Sequence, residues 1–234
     1  MKEAYHKWYS PNLQEEAELL VFGYAGQPVI LFATSMGRYY EAKDRGLIDS
    51  VQWFIDNGDI TVYCPSNIDH RSWYNKDIQP PDRALAQQSY DQFILEEVYS
   101  RATAETGRRD IISAGCSFGG YHAANFGLRH PEITRAIISM SGIFDISCFT
   151  GGFSNDNIYY NNPMAYLRDD QHPDLWDLKV ILGTTWQDSC LEQNRRLAGI
   201  LEQKKIPHWL DIRGDQPHDW PTWKQMFPHY ISTL

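Results

Sequence analysis

A serine between two glycines is the residue whose setting in this sequence most directly suggests chemistry. Ser117 lies in Gly115-Cys116-Ser117-Phe118-Gly119, between the apolar run Asp110–Ala114 and the helix-like stretch Phe118–Leu128. A sharp strand-to-helix turn of this kind exposes the serine hydroxyl, and its glycines let strand and helix pass closely. The pattern predicts that Ser117 is a nucleophile and that Cys116 packs inward. The alternative is a chance match in a glycine-rich turn.

A serine hydroxyl is a weak nucleophile and needs a general base within hydrogen-bond reach. Of the eight histidines, His218 alone falls in a loop between the last predicted strand and the last predicted helix. In the α/β-hydrolases, whose strand-to-helix serine turn this segment resembles, the partners follow in the order serine, acid, histidine. The position therefore predicts that His218 is the base. The alternative is a structural histidine, which is the commoner use of a single one.

The acid of such a site is expected after the predicted strand Lys179–Leu182, where Asp188 follows in Gly183-Thr184-Thr185-Trp186-Gln187-Asp188. A carboxylate there would orient the imidazole and stabilise its protonated form. A helix N-cap is a second interpretation of Asp188, and the two roles are compatible. Asp145 is the main rival, because it follows the preceding predicted strand.

Acyl transfer also needs two hydrogen-bond donors aimed at the developing oxyanion. One is expected to be the backbone N–H of Phe118, directly after the nucleophile. The other is expected from the loop Thr34–Arg38, which follows a predicted strand. Ser35 and Met36 are both candidates, and the sequence does not choose between them. The loop also fits a plain strand-to-helix turn.

These residues need a scaffold of alternating strands and helices, and the hydrophobic pattern predicts one. The predicted strands are Glu18–Tyr24, Pro28–Ala33, Ile60–Cys64, Asp110–Ala114, Ile133–Met140, Lys179–Leu182 and Trp209–Ile212. The predicted helices are Asp44–Asn57, Arg83–Thr106, Phe118–Leu128, Ser189–Lys204 and Trp220–Ile231. Alternation of this kind predicts an α/β domain with a mainly parallel sheet and helices on both faces.

Length and charge narrow the class of protein further. The chain has 234 residues, which fits one domain over 1–234, and its net charge of −9 disfavours nucleic acid as a partner. No apolar run approaches the length of a membrane span, and the first residues do not resemble a signal peptide. The four cysteines are scattered without metal-binding spacing, which predicts free thiols and a cytoplasmic protein. A homo-oligomer is compatible with the sequence.

One long stretch, about 144–174, has no clear period and is rich in Gly and Asn. An irregular insert of this length in a small domain is usually functional or mobile, so it is predicted to be a lid or a substrate wall. The sequence is also rich in aromatic residues, at 14%. Two or three of those near the predicted site are expected to line a substrate pocket, from the set Tyr39, Tyr40, Trp73, Tyr74, Phe118, Trp186, Trp220 and Trp223.

Taken together, the motifs resemble the α/β-hydrolase superfamily, in its putative-esterase branch of esterase D, feruloyl esterases and mycolyltransferases. The similar segments are Gly-Cys-Ser-Phe-Gly-Gly at the turn, Arg71–Tyr74, and Pro207–Asp211 followed by Gly214 and His218–Pro221. The resemblance implies catalytic roles for Ser117, Asp188 and His218. It also implies carboxylic-ester hydrolysis through an acyl-enzyme, with no metal and no organic cofactor.

Two segments depart from that branch. The oxyanion loop contains Ala-Thr-Ser-Met-Gly where many relatives carry His-Gly, and Gly183 lies farther from Asp188 than in the common Gly-x-x-Asp. A thioesterase, peptidase or acyltransferase would use the same three residues. A non-catalytic binding protein on the same fold is the alternative from another class, since fold alone does not establish activity.

Overall fold

A computed structural model describes all 234 residues. Its centre is one eight-stranded sheet in the order β1-β2-β4-β3-β5-β6-β7-β8. The strands are β1 Glu3–Ser10, β2 Glu15–Phe22, β3 Gln27–Phe32, β4 Ile60–Pro65, β5 Ile111–Cys116, β6 Thr134–Met140, β7 Lys179–Thr185 and β8 His208–Arg213. Strand β2 pairs antiparallel with β1 and β4, and all other pairs are parallel. The predicted α/β class with a mainly parallel sheet is confirmed.

Ten α-helices connect the strands. They are α1 Glu41–Asp44, α2 Leu47–Ser50, α3 Gln52–Asp56, α4 Pro80–Phe93, α5 Ser100–Thr106, α6 Phe118–Arg129, α7 Asp156–Tyr159, α8 Pro163–Tyr166, α9 Leu191–Lys204 and α10 Trp220–Ile231. A π-helical segment, Ile94–Tyr99, joins α4 to α5, and two 3-10 turns lie at Ser147–Phe149 and Pro173–Trp176.

The central strands bury side chains on both faces of the sheet. Along β3, Val29 and Leu31 pack in the cluster that contains α2, α3 and α10, while Ile30 and Phe32 pack in the cluster that contains α4 and the π segment. This alternation follows from the two-residue period of a strand. It explains why β3 has consecutive apolar residues, as strands covered on both faces do.

Three elements differ from the sequence-based expectation. Strand β1 was not predicted, the predicted helix Asp44–Asn57 is three short helices, and the long predicted helix contains the π segment. Gly46, in the left-handed conformation with φ 72°, separates α1 from α2. The carboxylate of Glu97 in the π segment accepts hydrogen bonds from Trp8 Nε1 at 2.5 Å and Ser10 Oγ at 2.6 Å. The same carboxylate thus ties the end of β1 to this helical segment.

The predicted irregular insert packs against the body of the molecule. It contains α7, α8, the first 3-10 turn and the start of the second, and Ile146 and Leu167 are fully buried. Buried Asn161 connects it to α6, because its backbone oxygen accepts from Tyr121 Oη at 2.9 Å. Its side-chain oxygen accepts from Asn125 Nδ2 at 3.0 Å and from Arg129 at 3.0 Å. A lid or wall function for the insert stays a prediction.

Cys116 packs inward as predicted, with 1% of its surface exposed. All four cysteines are free thiols; Cys64 and Cys190 are buried and Cys148 is exposed. None of the helices combines the length and the apolar character required to cross a bilayer.

Candidate active site

Ser117 occupies a strained turn between β5 and α6. Its backbone has φ 56° and ψ −122°, a conformation that non-glycine residues rarely adopt. A Cβ at Gly115 would lie 2.1 Å from the Gly119 carbonyl oxygen, and one at Gly119 would lie 2.4 Å from the Phe32 carbonyl oxygen. Both glycines are therefore required where β5, α6 and β3 meet, as the sequence pattern predicted.

Ser117, His218 and Asp188 form one continuous hydrogen-bonded chain. Ser117 Oγ lies 2.9 Å from His218 Nε2, and His218 Nδ1 lies 2.9 Å from Asp188 Oδ1. A carboxylate only accepts, so Nδ1 carries the proton toward Asp188 and Nε2 is free to accept from the serine hydroxyl. The structure thus brings together three residues that are 101 and 30 positions apart in sequence.

The electrostatics of these three hydrogen-bonded residues favour an ionised Asp188 paired with a protonated His218. Burial alone would lower the pKa of His218, but its hydrogen bond to Asp188 and the neighbouring Cys190 outweigh that effect and raise the pKa to about 9. Burial alone would raise the pKa of Asp188, but the hydrogen bonds from His218 and the Cys190 N–H, together with the nearby Ser141 hydroxyl, lower it to about 2. Asp188 is therefore ionised at neutral pH, and it stabilises a proton on His218.

Of the two interpretations of Asp188, the helix N-cap is wrong, because Cys190 is the N-cap of α9 and no side chain caps that helix. Besides His218, its Oδ1 accepts the Cys190 N–H at 2.8 Å, so the carboxylate also satisfies a backbone donor ahead of α9. The rival Asp145 is engaged elsewhere. Its Oδ1 accepts the Ser147 N–H at 3.1 Å, and its Oδ2 lies 3.6 Å from Arg196 Nη2. The geometry therefore pairs His218 with Asp188 and not with Asp145.

The two oxyanion candidates that the sequence left open, both in the loop after β3, differ in their backbone hydrogen bonding. The Met36 N–H donates to Asp69 Oδ2 at 2.9 Å, so it is already used. The Ser35 N–H has no acceptor within the protein. Phe118 is the first residue of α6, so its N–H has no partner within the helix. Ser35 and Phe118 thus each have an unbonded backbone donor.

Sequence reasoning missed residues that hold His218 in place. The Trp223 ring meets the His218 ring edge-on, with centroids 5.1 Å apart and planes at 85°. Trp223 Nε1 donates to Ser141 Oγ at 3.0 Å, and Ser141 has a positive φ of 57°. Trp223 was expected only as a pocket aromatic, and Ser141 carried no signal beyond its place at the end of a strand.

Of the other aromatic residues expected near the site, some are buried in the core and others are exposed at the surface. Trp73 and Phe118 are buried, whereas 55% of Trp186 is exposed and its ring stacks on the Arg195 guanidinium. Tyr74 Oη donates to Ser35 Oγ at 2.8 Å, and its ring packs edge-on against Phe118. Tyr74 thus directly contacts the loop after β3, and its place in a substrate pocket stays a prediction.

Asp188, Cys190 and His218 have donor atoms that all lie within 4.8 Å of one another. A carboxylate, a thiolate and an imidazole are a donor set that suits Zn²⁺. Such an ion would need His218 Nδ1, the nitrogen that donates to Asp188. Metal binding and the hydrogen-bonded chain to Ser117 are therefore alternative uses of the same imidazole.

Comparison with known proteins places this chain in a family. It belongs to the family described as Putative esterase, whose model matches residues 31–232. That membership confirms the resemblance to the putative-esterase branch and supports hydrolysis of esters. No curated protein matches the sequence.

Solved structures agree on the fold. A ferulic acid esterase superposes with a TM-score of 0.78 at 18% identity, over 99% of this chain and 98% of that one. The S-formylglutathione hydrolase FrmB from Staphylococcus aureus gives 0.73 at 18% identity, over 100% and 99%. An S-formylglutathione hydrolase from Agrobacterium tumefaciens gives 0.77 at 14% identity, over 99% and 93%. The chain has the α/β-hydrolase fold.

Proposed function

We propose that this protein is a serine hydrolase that cleaves a carboxylic ester through an acyl-enzyme. The observation that carries the proposal is the chain Ser117–His218–Asp188, with both hydrogen bonds at 2.9 Å and the serine on a strained turn. A nucleophile, a base and a group that orients the base, in mutual hydrogen-bond reach, are the requirements of nucleophilic acyl transfer.

In the proposed reaction, His218 Nε2 takes the Ser117 proton as Oγ attacks the ester carbonyl carbon. The oxyanion accepts hydrogen bonds from the Ser35 and Phe118 N–H groups, while Asp188 stabilises the imidazolium. His218 then protonates the leaving alkoxide. A water molecule, deprotonated by the same nitrogen, hydrolyses the acyl-enzyme and regenerates Ser117.

A thioester is the second candidate substrate class. Two of the solved structures with this fold are S-formylglutathione hydrolases, and S-formylglutathione is a thioester. The same nucleophile and base serve either leaving group, because only the leaving atom changes from oxygen to sulfur. Acyltransfer to an alcohol in place of water would likewise need no further catalytic residue.

Covalent labelling with a fluorophosphonate probe tests the proposal, with wild type and Ser117→Ala compared side by side. We expect labelling of wild type only, and a Ser117→Ala variant that loses hydrolysis of p-nitrophenyl acetate by at least about 10³-fold. Equal labelling of both proteins would contradict it. A parallel series of an oxygen ester, an acyl thioester and an anilide then separates esterase, thioesterase and peptidase.

A further inference from the structure

A second buried aspartate–histidine pair lies beside the candidate active site. Asp69 Oδ1 is 2.9 Å from His122 Nε2, and the two residues are 0% and 2% exposed. Asp69 lies in the loop after β4, and His122 lies in the first turns of α6, five positions after Ser117. A buried carboxylate is tolerated only when its oxygens are well paired, so the partners of Asp69 show what it holds.

Those partners connect the oxyanion loop to the nucleophile helix. Asp69 Oδ2 accepts the Met36 N–H at 2.9 Å and an Asn67 Nδ2–H at 2.9 Å. Asn67 in turn donates to the Thr34 carbonyl oxygen at 3.3 Å. One carboxylate therefore binds His122 of α6 through one oxygen and the loop after β3 through the other.

Within residues 34–37 of the loop it binds, all backbone donors but one are bonded. Among residues 34–37, the Thr34 N–H donates to Glu41 at 3.2 Å, the Met36 N–H to Asp69, and the Gly37 N–H to the Thr34 oxygen at 2.9 Å. Only the Ser35 N–H has no acceptor. Met36 also has a positive φ of 56°, an unfavourable conformation that its bond to Asp69 helps to retain.

The histidine of the pair reaches the other donor residue. The His122 ring meets the Phe118 ring edge-on, at 5.0 Å and 84°, and stacks on Phe32 at 5.9 Å. Gln87 Nε2 lies 3.4 Å from His122 Nδ1. With Nδ1 accepting from that amide, Nε2 carries the proton that Asp69 accepts, which fixes the tautomer and the ring orientation.

We propose that Asp69 and His122 are positioning residues that set the two oxyanion donors relative to Ser117. By using the Met36 N–H, Asp69 leaves the Ser35 N–H as the free donor among residues 34–37. By packing on Phe118, His122 fixes the donor that follows the nucleophile. This inference rests on the proposed function, because it assigns the pair a purpose in the same reaction.

Asp69→Ala and His122→Phe test it, with Asp91→Ala as the matched control. Asp91 is also a buried aspartate paired with a histidine, 3.0 Å from His130, but it has no bond to the oxyanion loop. We expect both test variants to lower kcat for an ester by about 10- to 100-fold with KM within about threefold, since a misplaced donor acts in the transition state. Asp91→Ala is expected to lower only the melting temperature.

A trifluoromethyl ketone separates positioning from general loss of structure. Its adduct with a serine carries an oxyanion, so its inhibition constant should weaken in parallel with kcat/KM in Asp69→Ala and His122→Phe, and not in Asp91→Ala. Asp69→Asn retains an oxygen that can accept the Met36 N–H but turns its NH2 toward the His122 Nε2–H, so it should recover only part of kcat. The acid limb of the pH profile should not move, because His218 is untouched.

Unchanged kcat and ketone affinity in either folded test variant would overturn the inference. If Asp69→Ala does not fold, His122→Phe compared with His122→Gln, which keeps a donor for Asp69, decides the question. Failure of the proposed function would look different. In that case wild type and Ser117→Ala would not differ in activity, whatever Asp69 does.

Discussion

His218 is the side chain on which every step of the proposed reaction depends, and three different contacts fix it. Asp188 accepts its Nδ1 proton, Ser117 approaches its Nε2, and the Trp223 ring packs against its imidazole. The first contact raises the pKa of the imidazole, so a larger part of it is protonated near neutral pH than in a free histidine. A protonated His218 cannot take the serine proton, so activity must increase as the pH rises.

Activity is therefore expected to fall as the pH is lowered. The apparent pKa of this acid limb should lie above the ordinary value of 6.5 for histidine. Asp188→Asn removes the carboxylate that raises this pKa. We expect the variant to lower kcat by about 10³- to 10⁴-fold and to shift the limb of the residual activity to lower pH. The measurement is kcat/KM for an ester between pH 5 and about 10.

Asp145→Asn is the matched control, because Asp145 follows the strand next to that of Asp188 and bonds Ser147 instead of His218. It is expected to leave both kcat and the limb unchanged. Loss of activity in Asp145→Asn alone would show that the acid is assigned to the wrong residue.

At the scale of elements, the site depends on how closely α6 approaches the strands beside it. A Cβ at Gly119 would meet two main-chain oxygens, of Phe32 at 2.4 Å and of Ala33 at 2.5 Å. Main-chain atoms in the middle of a sheet do not move aside as a flexible side chain does. The end of β3, which leads directly into the loop that contains Ser35, is therefore in contact with the helix that begins after Ser117.

Gly119→Ala is expected to lower the free energy of unfolding by about 1–3 kcal/mol and also to reduce kcat, because α6 must move away from the oxyanion loop. Gly199→Ala is the matched control. Gly199 is also a helical glycine, but no atom lies within 4 Å of the point that an added methyl group would occupy, so alanine there should stabilise by about 0.5–1 kcal/mol. Denaturant unfolding and ester kinetics measure both effects, and equal behaviour of the two variants would contradict the proposed contact.

The elements that the sequence predicted well are those with a strong hydrophobic period or a clear end. Strand β4 was expected over Ile60–Cys64 and ends one residue later, and α10 has the predicted bounds. Strand β1 was missed because it lies at the edge of the sheet, where its residues Glu3–Ser10 are mostly exposed or half-buried. An edge strand buries too little to impose an apolar pattern, and its pairing with β2 supplies the order instead.

The residues of the candidate site also differ in whether the local sequence can locate them. Ser117 and His218 could be located from local context, since each lies in a recognisable turn or loop. Asp69 and His122 are 53 positions apart, and neither has a local pattern, so only the fold reveals that they meet. The proposal of Ser35 rather than Met36 depends on a single hydrogen bond, from the Met36 N–H to that same Asp69. The catalytic and positioning roles of these residues remain predictions until variants are measured.

At the scale of the whole molecule, the site exists only in the folded sheet. The oxyanion loop follows β3, Ser117 follows β5, Asp188 follows β7 and His218 follows β8, and these parallel strands all end at the same edge. The hydrogen bonds that shift the pKa values of His218 and Asp188 are therefore absent from the unfolded chain. Protonation at the site must then be linked to the stability of the whole domain.

The sign of that linkage differs for the two residues. His218 has a raised pKa in the folded state, so its contribution to stability is complete below pH 6.5 and is lost as the pH rises toward about 9. Asp188 has a lowered pKa, so its contribution is complete above pH 3.8 and is lost as the pH falls toward about 2. The pair therefore stabilises the protein most between pH 3.8 and pH 6.5, which is below the pH of highest activity.

His218→Gln should accordingly have a lower melting temperature than wild type. The difference between the two melting temperatures should become smaller as the pH rises from 6.5 to about 9. His70→Gln, at an exposed histidine, should follow wild type across the whole range. Thermal unfolding of the three proteins at intervals of half a pH unit measures the difference. A deficit for His218→Gln that stays constant or widens with pH would show that the folded protein does not favour protonated His218, and that the Asp188 carboxylate does not raise its pKa.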